Sequence, residues 1–180
     1  GLIILIVAER FHQKLGLPFM VDVYEAANEK HPILENLLPS DIPYDTKSSF
    51  SLTINHRKTF TGITDNDRAL TIREFSRVCE ESEELEEDNA RELLGKNFRS
   101  PGHIYICNAS AKPLVERFGH TEYGVALLTM AGLTPVGTAC EMMGDDGKAL
   151  NKEMAKEYAK KHGLTFIEGK DIVEAWREWK

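Results

Sequence analysis

A chain of 180 residues with 42% apolar and 28% charged side chains is long enough for one domain with a sizeable core. Its formal charge of −7 is concentrated in residues 80–92, which hold eight acids and one arginine, so the remainder is near neutral, with no Lys/Arg stripe to attract nucleic acid. Cys79, Cys107 and Cys140 form no C-x-x-C pair, which points away from a disulfide framework or a thiolate zinc site and toward a reducing, cytoplasmic compartment.

Residues 2–7 (LIILIV) are the most apolar run, far short of the roughly 20 residues that span a bilayer, so they read as a buried strand and no membrane partner is expected. Residues 9–15 can start a helix that Gly16 and Pro18 stop. Residues 48–55 (SSFSLTIN) alternate polar and apolar side chains, the pattern of a half-buried strand. Thr64 or Asp65 can cap a helix that turns Leu70, Ile72, Phe75 and Val78 toward a core. The acidic run at 80–92 reads as solvated helix or loop, and Pro101 and Gly102 are expected to break the chain.

Residues 103–107 form the next strand candidate, and the segment GHTEYGVALLTMAGL reads as a capped helix ended by Gly132. Residues 135–142 (PVGTACEM) read as a strand. Asn151 is placed to cap a helix running to His162, with Gly163 where a left-handed residue is needed. A strand at 165–167 and a helix at 171–179 close the chain. Strand candidates alternating with amphipathic stretches suit an α/β or α+β fold with helices covering a sheet.

The most informative local feature is RFGHTE, where Arg117, His120 and Thr121 crowd a helix start. Free backbone N–H groups and the positive end of the helix dipole favour an anion there, Gly119 permits close approach, and an arginine can grip two phosphate oxygens. A phosphorylated ligand is expected; the plain alternative is a capped helix with surface His and Arg. A second helix start, TFTGITDNDR, offers Thr59, Thr61 and Thr64 around Gly62, for ligand binding or simple capping. His103 follows a Pro-Gly turn at a sheet end, a common place for catalytic groups in open sheets. Glu141 ends an apolar strand, either at the rim or buried with a raised pKa, and is a candidate acid or base. Asp145 and Asp146, between glycines, are read as a turn rather than a metal site.

The series SFSLTINHRKTFTGITDNDRALTI, FRSPGH, RFGHTE and CEMMGDDG, with FMVDVYE and SDIPYDTKSSF, resembles the archaeal branch of the 3,4-dihydroxy-2-butanone 4-phosphate synthases over essentially the whole chain. That resemblance implies a single α+β domain, a mixed sheet with helices packed around it, and a homodimer with active sites at the dimer interface. It implies a lyase that makes the four-carbon riboflavin precursor and formate from D-ribulose 5-phosphate, by magnesium-assisted enediolate formation and skeletal rearrangement. Manganese is the possible substitute, and no organic cofactor is expected. Carried over by matching residues, Arg117, Gly119 and Thr121 hold the substrate phosphate, with His120 also at the substrate as a metal ligand. His103 and Glu141 do acid–base work, and Thr61 lines the site from the partner subunit.

The sequence departs from that pattern twice. The family opens with a strand and an acidic R-E-x-E-x-D loop that supplies a magnesium-binding glutamate. This chain instead begins at GLIILIV, which resembles the family's later GGLIC segment. Residues 1–180 therefore read as an N-terminally incomplete domain, expected to bind magnesium weakly and to leave an open sheet edge or an exposed apolar face on residues 2–7. Ile4 stands where the family usually has a cysteine. Two other readings are a catalytically silent paralogue that binds sugar phosphate or serves as a dimer partner, and an aldolase or isomerase. No Schiff-base lysine lies in an apolar run to favour the latter.

Overall fold

The computed structural model describes residues 1–38, 41–42, 45 and 47–179; of the SDIPYDTKSSF stretch, residues 40, 43, 44 and 46 lie outside that set. Its sheet has four strands, β1 (Ile4–Val7), β2 (Phe50–His56), β3 (Phe98–Asn108) and β4 (Val136–Ala139), in the order β2-β3-β1-β4. β1 runs parallel to β3 and antiparallel to β4, and β2 is antiparallel to β3, which makes the sheet mixed. The apolar run that suggested an open edge is thus an interior strand. Both faces of this strand are covered by packed elements, Leu5 and Val7 in the main core and Ile6 against Gly124, which explains its unbroken hydrophobicity.

Period-two alternation divides that strand between two environments. Leu5 and Val7 join Ile104 and Ile106 of β3 and Ile54 of β2 in the main core. Helices pack into it, among them α1 (Glu9–Lys14) through Phe11 and α4 (Asp65–Ser82) through Phe75, Val78 and Cys79. The Thr64 side chain accepts a hydrogen bond from the Asp67 N–H, so α4 starts where its cap predicts. The acidic run becomes the end of α4 and the start of α5 (Glu87–Asn97), which inserts Ala90 into the core and packs Leu93 and Leu94 against it. Two short helices, α2 (Met20–Ala27) and α3 (Ile33–Leu37), precede β2.

Ile4 and Ile6 face the other way. Helix α6 (His120–Met130) lies on this second face, and Gly124 allows the close approach: a Cβ there would come within 2.0 Å of Ile6 Cδ1. A smaller core of Leu114, Ala126 and Ile172 joins α6 to α8 (Gly169–Glu178). Before α8, Asn151 accepts from the Met154 N–H to start α7 (Lys152–His162), and Gly163 stops it at φ 65°. Asp145 and Asp146 lie in a turn closed by the Gly147 N–H to Gly144 carbonyl bond.

Three sequence expectations need correction. Residues 165–167 form no strand, and among the described residues no strand pairs with them. β4 ends at Ala139 rather than at 142, and residues 140–142 leave the ladder. Pro101 and Gly102 do not end a strand but lie inside β3. Ile54 pairs with Ile104 and Asn55 with Arg99, so residues 100–103 bulge from the ladder. Side chains of β2 take over the missing bonds: Thr53 Oγ1 accepts from the Gly102 N–H at 3.0 Å and Asn55 Oδ1 from the His103 N–H at 2.9 Å. Gly102 is required there, since a Cβ would fall 2.0 Å from the Ile54 carbonyl carbon.

Candidate active site

The loop before α6 carries Arg117 into the structure. Leu114, buried and at φ 58°, adopts a left-handed conformation costly for a branched side chain, and its N–H donates to the Arg117 carbonyl at 3.0 Å. The Arg117 guanidinium lies between two carboxylates: Nη1 donates to Glu122, Nε donates to one oxygen of Asp45 at 2.5 Å, and Nη2 is ion-paired with that same oxygen. Glu122 is wholly buried, and its other bonds come from the backbone N–H groups of Ser110 (3.0 Å) and Gly119 (3.2 Å). As the third residue of α6, Glu122 takes up the Gly119 N–H in a reach-back cap. A Cβ on Gly119 would lie 2.3 Å from Arg117 Nη1, so the glycine makes room for the guanidinium.

Arg117 is therefore not the open clamp that RFGHTE suggested. It opens onto a cavity of about 150 Å³ bordered also by Asp45, Lys47, Cys107, Ile4 and Glu141. A second cavity, about 400 Å³, is lined by His120, Cys140 and Met142, and again by Ile4 and Glu141. Ile4 and Glu141 thus form a wall shared by both cavities. Glu141 is on the exposed rim, the first of the two placements left open, and accepts from the Leu2 N–H at 2.8 Å. Cys107 lies on the same small cavity as Ile4; burial pushes its thiol up to about 11, so it is uncharged near neutrality.

His120 is exposed at the first turn of α6, edge-on to Tyr123 at 6.3 Å, whereas Thr121 is buried. His103 and Thr61 line neither cavity and form a second group. The Thr61–Gly62 turn is held by Asp67, which accepts from the Gly62 N–H at 2.8 Å and the Thr61 hydroxyl at 3.4 Å. Asn55 links this turn to His103: its amide bonds the His103 N–H and ring, and a Cβ on Gly62 would meet that amide at 2.2 Å. Arg99 fastens the same turn to β3 by donating to the Thr59 carbonyl at 3.2 Å.

The two groups lie on opposite sides of β1. Ile4 pairs with Tyr105 on one side and Ala139 on the other, and His103 and Glu141 lie two residues beyond that row toward the same end of the sheet. Among the described residues no three His, Cys, Asp or Glu side chains gather as a metal cage. The donors present, the imidazole of His120 and the carboxylate of Glu141 on one cavity, suit a hard cation only if water and ligand oxygens complete its octahedron.

Sequence reasoning missed Asp45, Glu122 and Asn55. Glu122 carried a signal, as an acid three residues after a helix-capping glycine. Asp45 and Asn55 carried none, because their partners are 72 and 48 residues away.

Comparison with known proteins places these features in a family. The family model for 3,4-dihydroxy-2-butanone 4-phosphate synthase matches residues 1–175. A synthase of that name from Methanothermobacter thermautotrophicus is 48% identical over 181 residues, covering 100% of this chain and 76% of the relative. The one from Archaeoglobus fulgidus is 47% identical over 182 residues, covering 100% and 75%. Among solved structures, the Candida albicans synthase superposes with a TM-score of 0.65 at 28% identity, over 96% of this chain and 70% of that one. A synthase in complex with two magnesium ions gives a TM-score of 0.65 at 22% identity, covering 99% and 74%, a likeness of fold.

Proposed function

Because the chain belongs to the 3,4-dihydroxy-2-butanone 4-phosphate synthase family, we propose that it converts D-ribulose 5-phosphate to 3,4-dihydroxy-2-butanone 4-phosphate and formate at the wall shared by the two cavities. The observation that carries this placement is that Glu141 and Ile4 border both the cavity holding Arg117 and the cavity holding His120. One ligand can then present its phosphate to the first and its reacting carbons to the second.

In this reading Arg117 binds the phosphate, with Gly119 leaving space for the guanidinium. Buried Thr121 adds its backbone N–H at the helix start rather than a protruding hydroxyl. Glu141, on the rim, and His103, at the same sheet end, handle the protons of enolisation and water loss. His120 would hold a divalent cation, magnesium or manganese, with substrate and water oxygens supplying the other positions. When bound, such an ion polarises the sugar's oxygens as a Lewis acid. No organic cofactor enters the scheme.

The proposal includes a homodimer in which Thr61 lines the partner's site. Phe60 and Ile63, 94% and 52% exposed, flank Thr61, and Phe118, 51% exposed, separates Arg117 from Gly119. Exposed apolar side chains beside site residues support a reading in which another chain covers them. A cytoplasmic location is in keeping with three free thiols. No helix among the described residues is long and apolar enough to cross a membrane.

The test is formate release from ribulose 5-phosphate, with and without magnesium, by the wild type, His103→Ala and Glu141→Gln. Turnover by the wild type that either substitution abolishes is expected. Turnover unchanged in both variants would move the chemistry elsewhere, and none in the wild type would favour a binding protein.

A further inference from the structure

The bulge in β3 sets one side chain against His103 in a way that decides where its ring carries its proton. Asn55, only 4% exposed, touches His103 twice: the His103 backbone N–H lies 2.9 Å from Oδ1, and ring Nδ1 lies 3.0 Å from Nδ2. A backbone N–H can only donate, so the Asn55 oxygen must face it. The amide orientation is therefore dictated by the network, and the NH2 group is turned to the ring. An NH2 group can only donate, so Nδ1 must offer its lone pair. The proton of the neutral ring is then on Nε2. A proton on Nδ1 would set N–H against N–H at 3.0 Å.

The arrangement is held from several sides. Gly62 packs so closely on the amide that a Cβ would overlap it, and Gly102 abuts the backbone of Ile54 and Asn55. Thr53 fixes the neighbouring Gly102 N–H. Turning the amide over would leave the His103 N–H without an acceptor in the bulge, where the ladder provides none. His103 itself is exposed, and among the described residues no other side chain bonds its ring.

From this geometry we infer that Asn55 is a positioning residue that holds His103 as the Nε2–H tautomer, making it a hydrogen-bond donor to a substrate oxygen rather than a base. The inference deepens the reading of His103 as an active-site residue and rests on it. It divides the acid–base work. The Glu141 carboxylate accepts the proton leaving carbon, while the Nε2–H of His103 donates to the adjacent oxygen on which negative charge develops and is the proton at hand for water loss.

Long-range proton–nitrogen NMR of the histidine rings, with His103 assigned by its disappearance in His103→Gln, reads the tautomer directly. The wild type is expected to show a protonated Nε2 and a bare Nδ1. In Asn55→Asp, whose carboxylate accepts from both groups, the tautomer is expected to reverse, with kcat falling at least about tenfold and KM for ribulose 5-phosphate changing less than about twofold. A protonated Nδ1 in the wild type overturns the inference, as does an unreversed ring in a folded Asn55→Asp. The wild-type spectrum decides the tautomer even if the variant fails to fold. Full turnover by His103→Ala would instead remove the active-site reading while leaving the tautomer standing.

Discussion

Arg117 donates its Nε–H to one carboxylate oxygen of Asp45 at 2.5 Å, and its Nη2 lies at ion-pair distance, also 2.5 Å, from the same oxygen. Any anion that uses this guanidinium must therefore compete with a carboxylate already there. Asp45→Asn removes the competing charge and keeps the shape. Inorganic phosphate is expected to bind the variant about threefold to tenfold more tightly by calorimetry, a gain of about 1 kcal/mol. Equal or weaker binding would show that the anion does not displace Asp45.

Glu122, on the other side of the guanidinium, has no exposure at all, and Arg117 is its paired charge. Arg117→Ala leaves a buried carboxylate with only two backbone donors, a change expected to destabilise the fold by about 3 kcal/mol. Urea denaturation should show this directly. A rise in KM for that variant is interpretable only at temperatures where it is folded, and Arg117→Lys, which keeps a charge, should lose less stability.

Two buried histidines contribute to the loss of stability in acid. Burial pushes both His12 and His56 below their ordinary value near 6.5. The unfolded chain thus takes up protons first as pH falls. Their contribution is fully present above pH 6.5 and is lost as pH drops below it. Urea midpoints should fall between pH 7.5 and pH 5.5, and the fall should be smaller in His12→Asn and His56→Asn variants, whatever their stability at pH 7.5.

His120 and Glu141 offer two donors on one cavity. Magnesium titrated alone is expected to give weak calorimetric heats without a stoichiometric end point, and substrate should tighten the binding. A tight, stoichiometric site without substrate would contradict a donor set completed by the ligand.

Phe60, at 94% exposure, is the most water-exposed of the large apolar side chains. If a second copy of the chain covers it, Phe60→Asp should shift sedimentation from dimer toward monomer and reduce turnover. A monomeric wild type would refute a shared site at Thr61.

The parts of this protein that its sequence declares are those stabilised by neighbours along the chain. Thr64 bonding Asp67, Asn151 bonding Met154 and Gly163 closing α7 all act within about one helical turn, so a short window of residues contains both partners. The strand at residues 2–7 was legible because burial on both faces leaves an unbroken apolar run, yet nothing local told its interior place in the sheet.

What only the tertiary structure decided depends on partners far apart in sequence. Pro101 and Gly102 look like a chain break until Thr53 and Asn55 supply the bonds their bulge lacks. Residues 165–167 look like a strand, but a strand requires a neighbour and none pairs with them among the described residues. Arg117 looked like an open clamp because Asp45, which occupies it, is 72 residues away. Local hydrogen bonds can be read from spacing, whereas the charge balance and proton placement of this site are set by side chains that folding brings together.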